Sequence, residues 1–377
     1  MFDRQLSIRA AVTLAAASLF FVAAPAFGAT DTVTISGKAY RFNHMDTPIP
    51  GATIKVRELP GVSATTETNG DYELVVPDDT NVTPYIESGS IPPGTVPFDE
   101  HYNEIDLQTF HTRGADIVNA NFQSPTDFEY GALKAILAVP ASENGRPEQC
   151  AIVTTSSARN VRGVDYQTFW DRTPHGVAGA TSFGVPAIPG PTYFNEYVIP
   201  DKTKMSSSED GGIVWEIVPA GTYRIITEHP TTRFASFLVT CENGRVINAN
   251  PPWGAYELAP GEQPLPASNV AGSVLRAKAY RQGRKRFISL RLKSGENLTS
   301  SVSYSSISRP GVPGLAGGFE SRKISPGTRT VRLRMPPFAL HFRVPLKVSV
   351  QLKDASGVKF TSARRVTLPK VKRPGKR

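Results

Sequence analysis

The stretch IPGATIKVRELPGVSATTETNGDYELVVP, at positions 49–77, decides the fold through its alternation of apolar and polar residues. Ile54 and Val56 fall on one face of a strand, and Lys55 and Arg57 fall on the other. After the Asn-Gly turn at positions 69 and 70, every second residue is again apolar. Period-two alternation combined with an Asn-Gly turn is a strong signal of a β-hairpin. The stretch therefore predicts two paired strands that share one buried face.

The same signals recur well over one hundred residues later. Gly51-Ala52 has a counterpart in Gly179-Ala180, and the Ser-Glu-Asp-Gly-Gly run at 208–212 stands where the Asn-Gly turn stood. Strand-like residues follow at 213–219 and 220–225. A repeat with so long a period predicts two copies of one domain and not a short-period solenoid.

Both copies resemble the carboxypeptidase regulatory-like domain, a small prealbumin-type β-sandwich. The resemblance rests on the Gly-Ala strand start, the Asn- or Asp-Gly turn and the run Val-Pro-Ala-Gly-Thr-Tyr at 218–223, and it covers roughly residues 32–76 and 176–228. It implies an accessory, structural or sugar-binding module that stands beside other domains, and not a catalytic domain.

The composition indicates a folded protein built from short strands. Hydrophobic residues make up 40% and charged residues 20% of the 377 positions, which favours a packed core over disorder. We predict a mainly β protein of three consecutive β-sandwich domains with one short helix. The predicted divisions are a signal peptide at 1–28, a regulatory-like sandwich at 29–125, a second one at 126–260 led by the helix, a linker at 261–271, a basic immunoglobulin-like sandwich at 272–368, and a basic disordered tail at 369–377.

The first residues have the three-part pattern of an export signal. Arg4 and Arg9 precede a mostly apolar run at 10–24, and Ala26 and Gly28 supply the small residues of a cleavage site. The alternative is an uncleaved membrane anchor, but the run is shorter than the ~20 residues that a spanning helix needs. We expect a secreted protein in an extracellular location, in contact with the cell envelope, and no transmembrane segment after cleavage.

Two cysteines remain in the chain, Cys150 and Cys241. In an exported protein, a lone pair is most simply one disulfide bond. Two free buried thiols are the alternative.

One helix start is well marked. Thr126 followed by Glu129 predicts a capping box, and Pro140 ends the helix. The apolar residues near one face of this helix are Phe128, Leu133, Ile136 and Leu137.

Four aromatic residues occur in loop-like sequence: Tyr193, Phe194, Tyr197 and Trp253. Aromatic faces stack on sugar rings, so these residues are candidate carbohydrate contacts. The alternative is that they pack the loops themselves, which is the commoner use of large aromatic side chains.

Two enzymatic alternatives rest on isolated residues. Ser182, in an Ala-Thr-Ser-Phe-Gly run, suggests the nucleophile of an exported serine hydrolase, with His175 or His229 as its base. The prolines that follow at 186, 189 and 191 oppose the helix that such a turn requires, so a β-strand is favoured. His101 and His111 suggest a metal site, but their spacing fits no ligand motif. We therefore predict no catalytic, cofactor-binding or metal-binding residue.

Charge divides the chain unevenly. Residues 261–377 contain 25 Lys and Arg against 4 Asp and Glu, whereas residues 29–260 contain 15 against 28. Such asymmetry points to a polyanionic partner for the basic end. The alternative is that the charge maintains solubility and contacts the acidic front half. Candidate polyanion contacts on alternating strand positions are Arg291, Lys293, Arg332, Arg334, Lys347 and Lys353.

These patterns predict a secreted, non-enzymatic, multidomain binding or structural protein. Its expected partner is a carbohydrate or an anionic cell-envelope polymer. No nucleic-acid fold signature is present, which excludes sequence-specific reading of nucleic acid. The sequence does not predict the oligomeric state.

Overall fold

The computed structural model describes residues 31–87, 101–143, 145–162, 164, 168, 171, 174–307, 314–337 and 343–371. Strands account for 53% of the described residues and helices for 6%, which confirms the mainly β fold. The predicted signal peptide and residues 372–377 of the predicted tail lie outside the described residues. Within the described residues, no helix has both the length and the apolar character needed to cross a membrane.

The front of the chain forms two sheets around one core. In one sheet β1 pairs with β2, β5 and β10, and the other contains the path β4-β3-β7-β8. The strands before the helix are β1 (Thr32–Arg41), β2 (His44–Pro48), β3 (Thr53–Val56), β4 (Ser63–Thr65), β5 (Asp71–Pro77), β6 (Asn81–Val82), β7 (Pro84–Ile86), β8 (Ile105–Asp106), β9 (Phe110–His111) and β10 (Phe122–Ser124).

The alternation in positions 49–77 predicts the buried faces correctly but the pairing wrongly. Ile54 of β3 and Leu74 of β5 are both buried in the same core. However, β3 pairs with β4 and β7, whereas β5 pairs with β1. The two strands therefore face each other across the sandwich and do not form a hairpin. The turn ends at Gly70, whose φ of +83° suits glycine, and it carries the chain from one sheet to the other.

Helix α1 (Asp127–Leu137) begins with the predicted capping box between Thr126 and Glu129. The apolar residues near one face of the helix are not all buried. Tyr130 and Leu137 are buried, whereas Phe128 and Ile136 are 72% and 54% exposed.

The middle of the chain contributes two further groups of paired strands, which belong to one continuous sheet. β11 pairs with β15, β19 and β20, while β16 pairs with β12, β17 and β18. The strands of this part are β11 (Cys150–Ser157), β12 (Thr181–Val185), β13 (Thr192–Phe194), β14 (Pro200–Asp201), β15 (Gly212–Val218), β16 (Gly221–Glu228), β17 (Arg233–Phe234), β18 (Phe237–Cys241), β19 (Val246–Ala249) and β20 (Ala255–Leu258).

The repeat found in the sequence has a counterpart in the hydrogen bonds. The backbone N–H of Ala52 donates to the Thr66 hydroxyl at 2.8 Å, and that of Ala180 donates to the Ser207 hydroxyl at 2.9 Å. The preceding glycines, at 51 and 179, donate to the carbonyls of the same two residues and have φ of +72° and +85°. The strand pairs also correspond, because β1–β5, β3–β7 and β7–β8 match β11–β15, β12–β16 and β16–β18.

The two repeated parts share one continuous sheet. β8 pairs in parallel with β19 through Asp106 and Ile247. The fully buried Asp106 lies 2.6 Å from the Arg57 guanidinium and 3.6 Å from that of Arg245. Burial raises the pKa of Asp106, and the charge of Arg57 opposes that shift. The proposed division at residues 125 and 126 stays a prediction.

The last part of the chain is a sandwich with its own core. One sheet has the order β21-β22-β25 and the other has the order β24-β23-β26-β27. Ile288, Leu290, Val348 and Val350 are fully buried between them. The strands are β21 (Gly272–Gln282), β22 (Lys285–Ser294), β23 (Leu298–Ser306), β24 (Ala316–Ile324), β25 (Gly327–Arg334), β26 (Val344–Lys353) and β27 (Lys359–Leu368).

A buried ion cluster joins β16 to this sandwich. The Arg224 guanidinium lies 2.5 Å and 2.6 Å from the two carboxylate oxygens of Glu296 and 3.5 Å from Asp354. It also donates to the carbonyls of Ser268 and Asn269, in the segment predicted as a linker. Burial lowers the pKa of Arg224, but the two carboxylates outweigh it and hold the pKa above its usual range.

Candidate functional site

The outer face of the sheet β21-β22-β25 carries a group of cations. On β22 the buried residues Ile288, Leu290 and Leu292 alternate with outward-facing residues that include Arg291 and Lys293. This alternation follows from the pleat of a strand, which sends successive side chains to opposite faces. One face of each strand thus contributes to the core, and the other is left to solvent.

Strand register brings a group of cations together on this face. Arg276 is the partner of Arg291 across β21 and β22, and Lys278 and Arg332 flank Ser289 on its two sides. We call this set the cationic face; it consists of Arg276, Lys278, Arg291, Lys293, Arg332 and Arg334, all of them exposed. With strands about 4.8 Å apart and alternate residues about 7 Å apart, it measures about 10 by 20 Å.

The cationic face has no acidic counterpart. β21, β22 and β25 contain no Asp or Glu. Among the ion pairs of the described residues, none involves a member of the cationic face. Like charges on adjacent strands destabilise a sheet. An anionic ligand would relieve that repulsion.

An aromatic pair lies at one end of the cationic face. The rings of Tyr280 and Phe287 stack across β21 and β22 with centroids 5.3 Å apart and planes 19° apart. The Lys278 ammonium lies 5.8 Å from the Tyr280 ring. The structure thus unites four of the six predicted cations with Arg276 and Lys278, which the sequence analysis missed although both lie on alternating outward positions of β21.

The other two predicted cations, Lys347 and Lys353, lie elsewhere. Both are exposed on β26, on the outer face of the second sheet. Their neighbours on β27 are Arg365 and Lys359. Because the two outer faces of a sandwich point in opposite directions, these cations form a separate group.

The predicted disulfide is confirmed. Cys150 at the start of β11 and Cys241 at the end of β18 are bonded, with Cα atoms 5.5 Å apart. The bond links β11 to β18 within the core of the middle part.

The predicted carbohydrate contacts do not form one surface. Tyr193, Phe194 and Trp253 are buried, and only Tyr197, at 74%, is exposed among the four. The Tyr193 hydroxyl accepts a hydrogen bond from the backbone of Ser182, and the Trp253 indole donates to the Val118 carbonyl. Three of these aromatics therefore pack the structure and have no face open to a sugar.

Ser182 has the strand environment that the sequence favoured. It lies in β12, antiparallel to β16, and not on a strand-to-helix turn. Its buried hydroxyl lies 2.7 Å from the Thr227 hydroxyl. His175 lies 3.0 Å from the Asp210 carboxylate. His229 accepts a hydrogen bond from the Thr231 backbone at 3.3 Å, beside a cleft of about 800 Å³.

The two histidines of the metal hypothesis differ in environment. His101 is exposed. His111 is buried, and its Nδ1 donates to the Asn81 side chain at 2.7 Å, while its Nε2 lies 3.3 Å from Asp79. Burial lowers the pKa of His111, and the charge on Asp79 opposes the shift. The described residues contain no cluster of three or more His, Cys, Asp or Glu that could hold a metal ion.

Comparison with known proteins does not show a family for this chain. No family model matches the chain, and no curated protein matches it. One similar solved structure is a "putative carbohydrate binding protein" from Bacteroides uniformis, with 12% identity over 58% of this chain and 99% of that chain. Another is a variant of the major pilin subunit of Bacillus cereus, with 9% identity over 59% of this chain and 69% of that chain. Both have a TM-score of 0.19, too low to carry an argument about function.

Proposed function

We propose that this protein is a secreted, non-enzymatic binding protein that attaches through its cationic face to an anionic polymer of the cell envelope. The observation that carries the proposal is the set of six exposed cations on three strands that contain no acidic residue. The predicted export signal and the disulfide support a location outside the cell.

Multiple weak contacts explain how such a face would hold a polymer. A single exposed ion pair contributes about 0 to 1 kcal/mol, so no one cation decides the affinity. A polymer that repeats its charge along about 20 Å of sheet engages several cations at once, because the face spans about that length. Screening by salt shortens the reach of each charge to about 3 Å at 1 M ionic strength, so attachment should depend strongly on salt.

The acidic charge of the part of the chain before the last sandwich would keep that part away from such a polymer. Residues 29–260 have an excess of 13 acidic over basic residues, whereas residues 261–377 have an excess of 21 basic residues. The acidic front would be repelled by a polyanion that the basic end attracts. The repeated units, with the resemblance to regulatory-like domains, support an accessory role for that front.

Paired charge reversals test the proposal. Binding of the full chain to immobilised linear polyphosphate is measured for Arg276→Glu with Arg291→Glu, and for the control Lys347→Glu with Lys353→Glu. Both variants change the net charge by the same four units, but only the first alters the cationic face. We expect about a ten-fold loss of affinity at low salt for the first and at most about two-fold for the control. Equal losses in both would show that net charge alone governs binding and would contradict the proposal.

The serine hydrolase alternative has no comparable support. It requires Ser182 on a sharp turn with an imidazole within reach. Instead, its hydroxyl is shared with Thr227 inside an antiparallel strand pair.

A further inference from the structure

A slot opens at the aromatic end of the cationic face. It has a volume of about 410 Å³ and is lined by Lys278, Tyr280, Gln282, Ser289 and Arg332. It is an open depression and not an enclosed pocket, and its volume is enough for one or two units of a polymer. We call this cavity the slot.

Register fixes the positions of the lining residues. Ser289 on the central strand forms the floor, with Lys278 on one neighbouring strand and Arg332 on the other. The Cα atoms of Lys278 and Arg332 are therefore about 10 Å apart, or two strand spacings. Tyr280 is two residues from Lys278 on the same face and forms the aromatic wall.

The slot also contains one acceptor that a polyanion without O–H or N–H groups cannot use, the side-chain oxygen of Gln282. The amide of Gln282 and the hydroxyls of Ser289 and Tyr280 make no hydrogen bond among those of the described residues. The exposed amide oxygen of Gln282 can only accept, so a ligand can hydrogen-bond to it only through an O–H or N–H donor. Polyphosphate has no such donors at its internal units, whereas a polysaccharide has them on every ring.

The aromatic wall favours a ring as well. Tyr280 is partly exposed and held by its stack on Phe287, so its position is fixed before a ligand arrives. An aromatic ring offers apolar surface and a polar tip in one side chain, which suits the C–H and O–H groups of a pyranose. Cations alone would not require such a wall.

We infer that the slot selects an anionic polysaccharide, with a carboxylate or sulfate between Lys278 and Arg332 and the sugar ring against Tyr280. This inference rests on the proposed function and narrows its ligand. Carboxylated and sulfated polysaccharides have the same two features, a negative group and hydroxyls on one sugar ring.

The test compares polymers with and without rings. Binding of the full chain is measured at equal salt to four polymers. These are polygalacturonate, which carries carboxylates; dextran sulfate, which carries sulfates on a neutral sugar; fully methyl-esterified polygalacturonate; and linear polyphosphate. We expect at least one of the two anionic polysaccharides to bind about five-fold tighter than polyphosphate, and the uncharged ester to bind weakest. The preferred polysaccharide identifies the anionic group.

Variants locate the effect in the slot. Tyr280→Thr and Gln282→Met should each lower polysaccharide affinity about five-fold and leave polyphosphate binding within about two-fold. Tyr197→Thr, which removes an exposed aromatic outside the slot, is the matched control and should change neither. Threonine favours strands, so Tyr280→Thr should keep the fold. If Tyr280→Thr does not fold, Gln282→Met tests the slot by itself.

The outcomes separate the two proposals. If Tyr280→Thr and Gln282→Met leave polysaccharide binding unchanged while Arg276→Glu with Arg291→Glu weakens it, the slot inference is wrong and the attachment proposal stands. Tighter binding of single-stranded DNA than of either polysaccharide would also overturn the inference, because bases too can stack on tyrosine. If the charge reversals change nothing, both proposals fail.

Discussion

Removal of the Arg224 side chain should destabilise the protein more than any exposed substitution. In Arg224→Met, the carboxylates of Glu296 and Asp354 stay buried without the cation that lies 2.5 Å and 3.5 Å from them. The carbonyl of Ser268 also loses its donor. Because Arg224 is only 2% exposed, water cannot replace the lost contacts without opening the cluster.

The expected loss is about 3–5 kcal/mol of unfolding free energy, the usual cost of removing one partner of a buried ion pair. Urea unfolding at pH 7, followed by fluorescence, would measure it. Arg276→Met is the matched control, since it removes an exposed arginine, and its effect should stay within about 0.5 kcal/mol.

The pH dependence gives the experiment a second readout. Burial already raises the pKa of Asp354 in the wild type, where Arg224 opposes the shift. Without the cation, Asp354 should bind a proton more tightly in the folded than in the unfolded state, because burial alone then acts on its pKa. A group with a raised folded pKa makes the folded state more stable as the pH falls. The deficit of Arg224→Met should therefore shrink between pH 7 and pH 5. A deficit below about 1 kcal/mol, or one that does not change with pH, would refute the reasoning.

Two further predictions concern the disulfide and a buried histidine. The disulfide closes a loop between two cysteines that are 91 residues apart. Replacing Cys150 and Cys241 by serine should lower the unfolding free energy, measured in urea, by about 4 kcal/mol. An unfolding midpoint that changes neither in this variant nor in the reduced wild type would contradict this. Because burial lowers the pKa of His111 below 6.5, the unfolded state binds its proton first on acidification. Its contribution to stability should fall below pH 6.5 by up to about 1.4 kcal/mol per pH unit, and His111→Asn should lack that slope. Equal slopes in both proteins would exclude this role for His111.

The aromatic residues show that a loop-like composition does not predict exposure to solvent. Tyr193 and Trp253 occur in sequence rich in proline and glycine, which is typical of surface loops. The structure buries both rings, and the polar atom of each finds a hydrogen-bond partner inside the fold. Tyr280 and Phe287 instead lie on strands, and only strand pairing shows that they meet on an open face.

The sequence by itself determined the buried faces of the strands, the helix start, the repeat and the unequal charge. These are local properties: the side-chain period of a strand is two residues, and Ile54 and Leu74 are therefore buried as the pattern predicts. The matching bonds of Ala52 and Ala180 follow from the same short signals in each copy.

Only the tertiary structure decided which strands pair, which cations gather and which charges are buried. Alternation specifies a buried face but not the neighbouring strand, so β3 and β5 lie in different sheets although their pattern is that of a hairpin. Arg224 lies at a polar position in the alternating pattern of β16, which would predict exposure to solvent. It is buried because Glu296, 72 residues away in the chain, lies opposite it. Contacts between residues so far apart depend on how the sheets pack, which no local pattern encodes.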